Sequence, residues 1–210
     1  MSKTFGLISK LLGKGTEAKS ELNEKPNTDS PTPTKYQITP EVLEILDLIE
    51  SSDGNVIFVT GAAGTGKSTL IDIIRSVTRK KLVVVAPTGV AAINCGGQTT
   101  HSFFQLTPGP QPKPQVIRGM NGPVVKELEV LIIDEVSMVR ADLIDSIAES
   151  LRINTKNHQT PFAAKTIVLI GDMHQLPPVV ATSKEKQLFQ DHYDTPYFFS
   201  AKALQTVLTS

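Results

Sequence analysis

Tryptophan is absent from this 210-residue chain, cysteine occurs once, and aromatic residues make up only 5%. So few aromatic faces exclude a broad platform for stacking nucleobases. The lone thiol, Cys95, excludes a disulfide framework and any multi-cysteine metal site within the chain, and it reads as a small core or loop residue rather than a nucleophile. No run approaches the roughly eighteen apolar residues of a membrane-spanning helix, so no membrane partner is expected. The opening MSKTFGLISKLL is basic and partly apolar, but it lacks the long apolar stretch and small-residue cleavage site of a secretory signal. A loosely docked helix or a frayed end is expected there, in a protein of the cytoplasm, or of the nucleus or mitochondrion in a eukaryote.

Net charge is missing too, since 21 basic and 21 acidic residues cancel, but its distribution is uneven. Residues 56–126 carry eight basic side chains and one acid, Asp72, whereas residues 127–210 carry seven basic and eleven acidic ones. A basic middle block suits nucleotide or nucleic acid, although lysines also decorate solvated faces. From Gly13 to about Lys35 large apolar residues are scarce, and PNTDSPTPTK reads as a flexible linker. Residues 1–35 are therefore expected to be a flexible basic and polar segment, and residues 36–210 one folded domain.

What is present is a repeating pattern of short apolar runs and helical stretches. Thr39 can cap a helix that starts at Pro40 and presents Val42, Leu43, Ile45, Leu46 and Ile49 on one face. The runs Val56–Val59, Leu82–Val85, Val130–Ile133 and Thr166–Ile170 have the length of buried strands. Helices are expected between them at about Ser68–Val77, Gly89–Asn94 and Arg140–Ser150. This alternation predicts an α/β fold, a mostly parallel sheet covered by helices on both faces. Ligands then bind beyond the carboxyl ends of the strands.

Three motifs fall at such places. GAAGTGKS comprises Gly61, Ala62, Ala63, Gly64, Thr65, Gly66, Lys67 and Ser68, and follows a strand and opens a helix that continues with Thr69. It is a complete phosphate-binding P-loop, with backbone N–H groups curled around the phosphates, Lys67 reaching their outer oxygens and the Ser68 hydroxyl placed for Mg²⁺. The strand LIIDEVSM ends in adjacent carboxylates, Asp134 for the magnesium and Glu135 to orient and deprotonate an attacking water. In LIGDMHQLPPVV, the neutral amide of Gln175 can sense a γ-phosphate, although the segment alone could equally be a rigid loop. The expected cofactors are ATP and Mg²⁺. His101 and His174 belong to no closely spaced ligand set.

With VVVAPTGVAA at residues 83–92 and GGQTTHSFF at residues 96–104 in the same order, these segments resemble the Pif1-like branch of superfamily 1 DNA helicases, related to the RecD group. The resemblance runs from about Ile38 to Tyr197 and implies a RecA-like P-loop NTPase fold, the first of two motor domains. It implies that Lys67, Glu135 and Gln175 are catalytic, Gln175 as the γ-phosphate sensor. It sets Pro87, Thr88, Gly89, Thr100 and His101 near single-stranded DNA, and Phe103 or Phe104 could stack on a base or form a buried pair. Movement in the family is typically 5′ to 3′.

Two departures stand out. Val42 occupies the position where a family glutamine reads adenine, and Gln37 lies several residues early. The sequence also stops at Ser210, soon after YFFSAKAL, so the partner expected besides DNA is a second RecA-like domain of the same full-length chain. Without it the chain is expected to bind nucleotide, to hydrolyse it weakly and not to unwind DNA. A monomer is expected. The acid-free, Pro- and Gly-rich residues 105–126, with Lys113, Arg118 and Lys126, are a short insertion that could face DNA or merely connect. A P-loop kinase for a small molecule and a nucleotide-switched binding module are the competing readings.

Overall fold

The computed structural model describes residues 6–8, 38–51, 54–62, 64–107, 109 and 121–209. In chain order the elements are β1 (Gly6–Ile8), α1 (Pro40–Ser51), β2 (Val56–Thr60), α2 (Lys67–Val77), β3 (Leu82–Ala86), α3 (Gly89–Asn94) and β4 (Gln98–Thr99). They continue with α4 (Thr100–Phe104), α5 (Gly122–Glu127), β5 (Val130–Ile133), α6 (Ala141–Thr155), β6 (Thr166–Gly171), α7 (Ser183–His192) and α8 (Lys202–Thr209). Every strand pairing is parallel, in the order β1-β2-β6-β5-β3-β4.

The alternation of side chains along the strands builds two cores. Ile57, Val59, Val84, Ile132 and Ile170 face α1, α2 and α3, while Phe58, Val85, Leu131, Ile133 and Leu169 face α5, α6, α7 and α8. Both faces of the sheet are therefore covered, as the uninterrupted apolar runs require. The α1 stripe buries Val42, Ile45, Leu46 and Ile49, each side chain contributing about 1.5–3 kcal/mol in removal from water. Among the described residues, no helix is long and apolar enough to cross a membrane.

Several boundaries differ from expectation. Gly6–Ile8 pairs with Ile57–Val59 as a short edge strand, in place of a helix or frayed end. The rest of the expected flexible segment lies outside the described residues. Arg140 is not the first residue of α6 but its N-cap, with extended backbone at φ −77° and ψ 153°, and the helix runs on to Thr155. Helix α7 is opened by a capping box, in which the Thr182 hydroxyl accepts from the Glu185 amide and Glu185 reaches back to the Thr182 amide.

Candidate active site

Because the sheet is parallel, the segments following β2, β6, β5 and β3 emerge side by side along one edge, in that spatial order. The first is the phosphate loop. Gly66 sits at φ 87°, a left-handed conformation that a Cβ would strain, and is the N-cap of α2. No side chain caps this helix end, so the first-turn amides of Lys67, Ser68 and Thr69 are available to an anion. The Thr65 hydroxyl donates to the Ala62 carbonyl at 2.7 Å, and Lys67 Nζ donates to the carbonyls of Gly61 and Ala62 at 2.8 and 2.9 Å. Lys67 thus arches over its own loop. Gly64 and Ser68 are exposed, whereas Ala63 lies outside the described residues.

Strand β5, fully buried, delivers the two carboxylates. The Asp134 amide donates to the Val85 carbonyl of β3 at 2.9 Å, and its Oδ1 accepts from the Glu135 amide at 2.9 Å. Glu135 itself has φ 49° and ψ 43°, a left-handed backbone rare for a non-glycine residue and a form of strain that concentrates at functional sites. Its Oε2 is buried and meets no hydrogen-bond partner among the described residues. Burial pushes the Asp134 carboxyl up from its ordinary value. Burial first, and then the charge of Asp134, push Glu135 up as well, with Lys67 opposing. A carboxylate raised towards neutrality is suited to taking a proton from water. A buried carboxylate beside a half-buried one with an unsatisfied oxygen also suits a hard cation. Asp134 and the exposed Ser68 hydroxyl would hold Mg²⁺, the rest of whose coordination comes from phosphate and water.

Between these two segments lies the end of β6. A Cβ on Gly171 would stand 3.0 Å from Val136 Cγ1 and 3.1–3.2 Å from the amides of Val136 and Ser137. Only a glycine lets β6 approach the turn after Glu135 this closely. Asp172 is buried, and its Oδ1 accepts from the His174 amide at 2.9 Å, which holds the carboxyl below the usual range. Gln175 is exposed, with its amide nitrogen 3.5 Å from Asp172 Oδ2. Asp172 was not singled out in the sequence, yet it is the anchor of the Gln175 turn.

At the far end of this edge, Pro87 and Thr88 are half-buried and Gly89 is exposed, with nothing within 4 Å of the place a Cβ would take. Thr88 caps α3 by accepting from the Ala91 amide. His101 is half-buried, and desolvation followed by the nearby Arg140 lowers its pKa. Two expected DNA contacts are corrected. Thr100 is completely buried and its hydroxyl donates to the Ala86 carbonyl at 3.1 Å, so it fastens α4 to β3. Phe103 is 2% exposed and packs edge-on against Phe104 with centroids 4.8 Å apart, so it is the buried pair, not a base-stacking face. Of the insertion, Lys113 and Arg118 lie outside the described residues, and Lys126 is exposed in α5.

A family model described as PIF1-like helicase matches residues 37–204. The chain belongs to the PIF1-like helicase family. It is 36% identical to the ATP-dependent DNA helicase PIF1 of mouse (Mus musculus) over 159 residues, which is 73% of this chain and 24% of that protein. With the ATP-dependent DNA helicase Pif1 of Bdellovibrio bacteriovorus it shares 34% identity over 165 residues, 74% of this chain and 36% of the relative. The crystal structure of Bacteroides sp Pif1 in complex with ADP-AlF4 superposes with a TM-score of 0.73 at 39% identity, covering 80% of this chain and 39% of that one. Bacteroides Pif1 bound to ssDNA gives 0.72 at 38% identity over the same shares. The chain thus spans about a quarter of the mouse relative's length, and its α/β fold is that of these PIF1-like structures.

One ionic network escaped sequence reading. Arg140 donates to both oxygens of Asp142 at 3.0 Å, to Glu185 at 2.9 Å and to the Gly109 carbonyl at 2.6 Å. It ties the start of α6 to α7 and to the insertion, close to His101. No local pattern marks it, because its partners lie up to 45 residues away.

Proposed function

We propose that the chain is the ATP-binding and hydrolysing first motor domain of a DNA helicase. Its substrates are ATP with Mg²⁺ and single-stranded DNA, and its functional partner is a second RecA-like domain of the full-length chain. Residues 36–210 form the motor unit, to whose sheet Gly6–Ile8 adds an edge strand. The observation that carries this reading is Glu135, strained, raised in pKa and left with an unpartnered oxygen on the same sheet edge as the uncapped amides of α2. A phosphate-binding loop alone would need no such base.

In this reading the α2 amides and Lys67 hold the β- and γ-phosphates. Ser68 and Asp134 would hold magnesium, which would supply charge neutralisation at the phosphate oxygens. Glu135 aligns a water against the γ-phosphate and accepts its proton, while Gln175, steadied by Asp172, contacts the outer phosphate or that water. The DNA backbone runs past Pro87, Thr88 and Gly89, whose exposed turn leaves main-chain amides near phosphate, with His101 beside it. Movement is 5′ to 3′ in the complete enzyme, a direction supported by the family resemblance alone. The isolated chain binds Mg-nucleotide, turns it over slowly and does not unwind DNA. The test is steady-state ATP hydrolysis by a form carrying both motor domains, with and without single-stranded DNA. A strong rise with DNA is expected, and a rate indifferent to DNA removes the helicase reading.

A further inference from the structure

Beside the phosphate loop, α1 and α2 enclose a cavity of about 130 Å³ that is continuous with Gly66 and Lys67. Its walls are the side chains of Val42, Ile45, Val59, Leu70 and Ile73, all buried and apolar. Threonines and Lys67 supply its remaining side-chain polarity, and Thr39 brings a buried hydroxyl to the wall. Among the described residues, neither an amide nor a carboxylate side chain lines it. Taking the P-loop to hold phosphates, as proposed above, this cavity is where the base of the nucleotide goes.

Adenine and guanine present opposite hydrogen-bonding edges: adenine offers a donor on its six-position and an acceptor at N1, and guanine an acceptor at six and a donor at N1. A side-chain amide held in one orientation distinguishes them. A hydroxyl does not, because it rotates to donate or to accept. Apolar walls take up either ring with similar gain, and strong rejection of an analogue arises only where a fixed polar group is left unpaired. We infer that this site is tolerant of the base, accepting GTP nearly as well as ATP, with Thr39 as an ambidextrous contact and Val42 as the residue that removes selectivity.

The test is competition of ATP and GTP, each with Mg²⁺, against a fluorescent nucleotide bound to the whole chain. Dissociation constants within about fivefold are expected. Val42→Gln, which adds an amide to the wall, should raise the preference for ATP by about tenfold, the effect of one well-placed hydrogen bond. Thr39→Val should weaken both nucleotides alike, a readout that does not depend on the glutamine variant folding. ATP binding more than about thirtyfold tighter than GTP in the wild type overturns the inference while leaving the phosphate site standing. So does an ATP preference that disappears in Gln37→Ala, which would assign base reading to that amide. Binding of neither nucleotide refutes the phosphate site itself.

Discussion

With Glu135 as the proposed base, Glu135→Gln should separate catalysis from stability. The glutamate is held in a left-handed backbone, one carboxylate oxygen is buried without a partner, and Asp134 precedes it. Neutralising it removes the proton acceptor and with it about 10²–10⁴-fold of the hydrolysis rate. The same change relieves a desolvated charge. A buried polar group without a partner costs about 1–3 kcal/mol. The side chain is only half-buried and solvent screens it, so a gain on the order of 1 kcal/mol is expected, or about 2–4 °C in Tm for a chain of this size. The sign follows from linkage. Because the folded-state pKa is raised above 4.5, the native protein binds more protons than the unfolded one between those two values, and stability falls as pH rises through that window. The advantage of Glu135→Gln is therefore full above the raised folded-state pKa and is lost as pH falls below 4.5, where both states come to carry the protonated acid. Single-turnover hydrolysis of radiolabelled ATP and thermal melts at several pH values measure both quantities. A variant that loses activity and also melts lower at pH 7 would refute the claim that this carboxylate is held at a cost to the fold.

Lys67→Ala should weaken Mg-nucleotide binding by at least about tenfold, read by calorimetry, while its melt without nucleotide shifts little because, among the described residues, its hydrogen bonds are to its own loop. Gly171→Ala drives a Cβ to within 3.0–3.2 Å of Val136 and Ser137 and should destabilise the fold by about 1–3 kcal/mol in denaturant titration; an unchanged midpoint would show that the two turns separate freely. Arg140→Ala removes the guanidinium that bridges Asp142 and Glu185, and a loss of about 1–3 kcal/mol is expected from the same titration, since Glu185 keeps its bonds to Ala181 and Thr182.

Much of the fold was legible because burial on both faces turns parallel strands into plain apolar runs. Val130–Ile133 and the helix at Gly89–Asn94 match expectation residue for residue. The phosphate loop was equally readable, since its glycines, lysine and serine serve one local task. Helix α7 carried a readable signal, the Thr182 to Glu185 capping box, that drew no attention. What local sequence hides is commitment over distance. The hydroxyl of Thr100 is free to meet DNA until β3 brings the Ala86 carbonyl beneath it. Phe103 could stack on a base until the α5–α6 face closes over it. Arg140 looks like the opening residue of a helix, and only the return of α7 makes it the centre of an ionic network.

The close approach at Gly171 also bears on how the motor passes on its state. The atoms nearest the missing Cβ are Val136 Cγ1 and the amides of Val136 and Ser137, so β6 and the turn after Glu135 are closely packed, and such surfaces deform little. The Gln175 turn and the Glu135 turn then behave as two arms of a single rocker. Under the proposed function, a displacement of the Gln175 turn would be passed through this contact to the Glu135 turn.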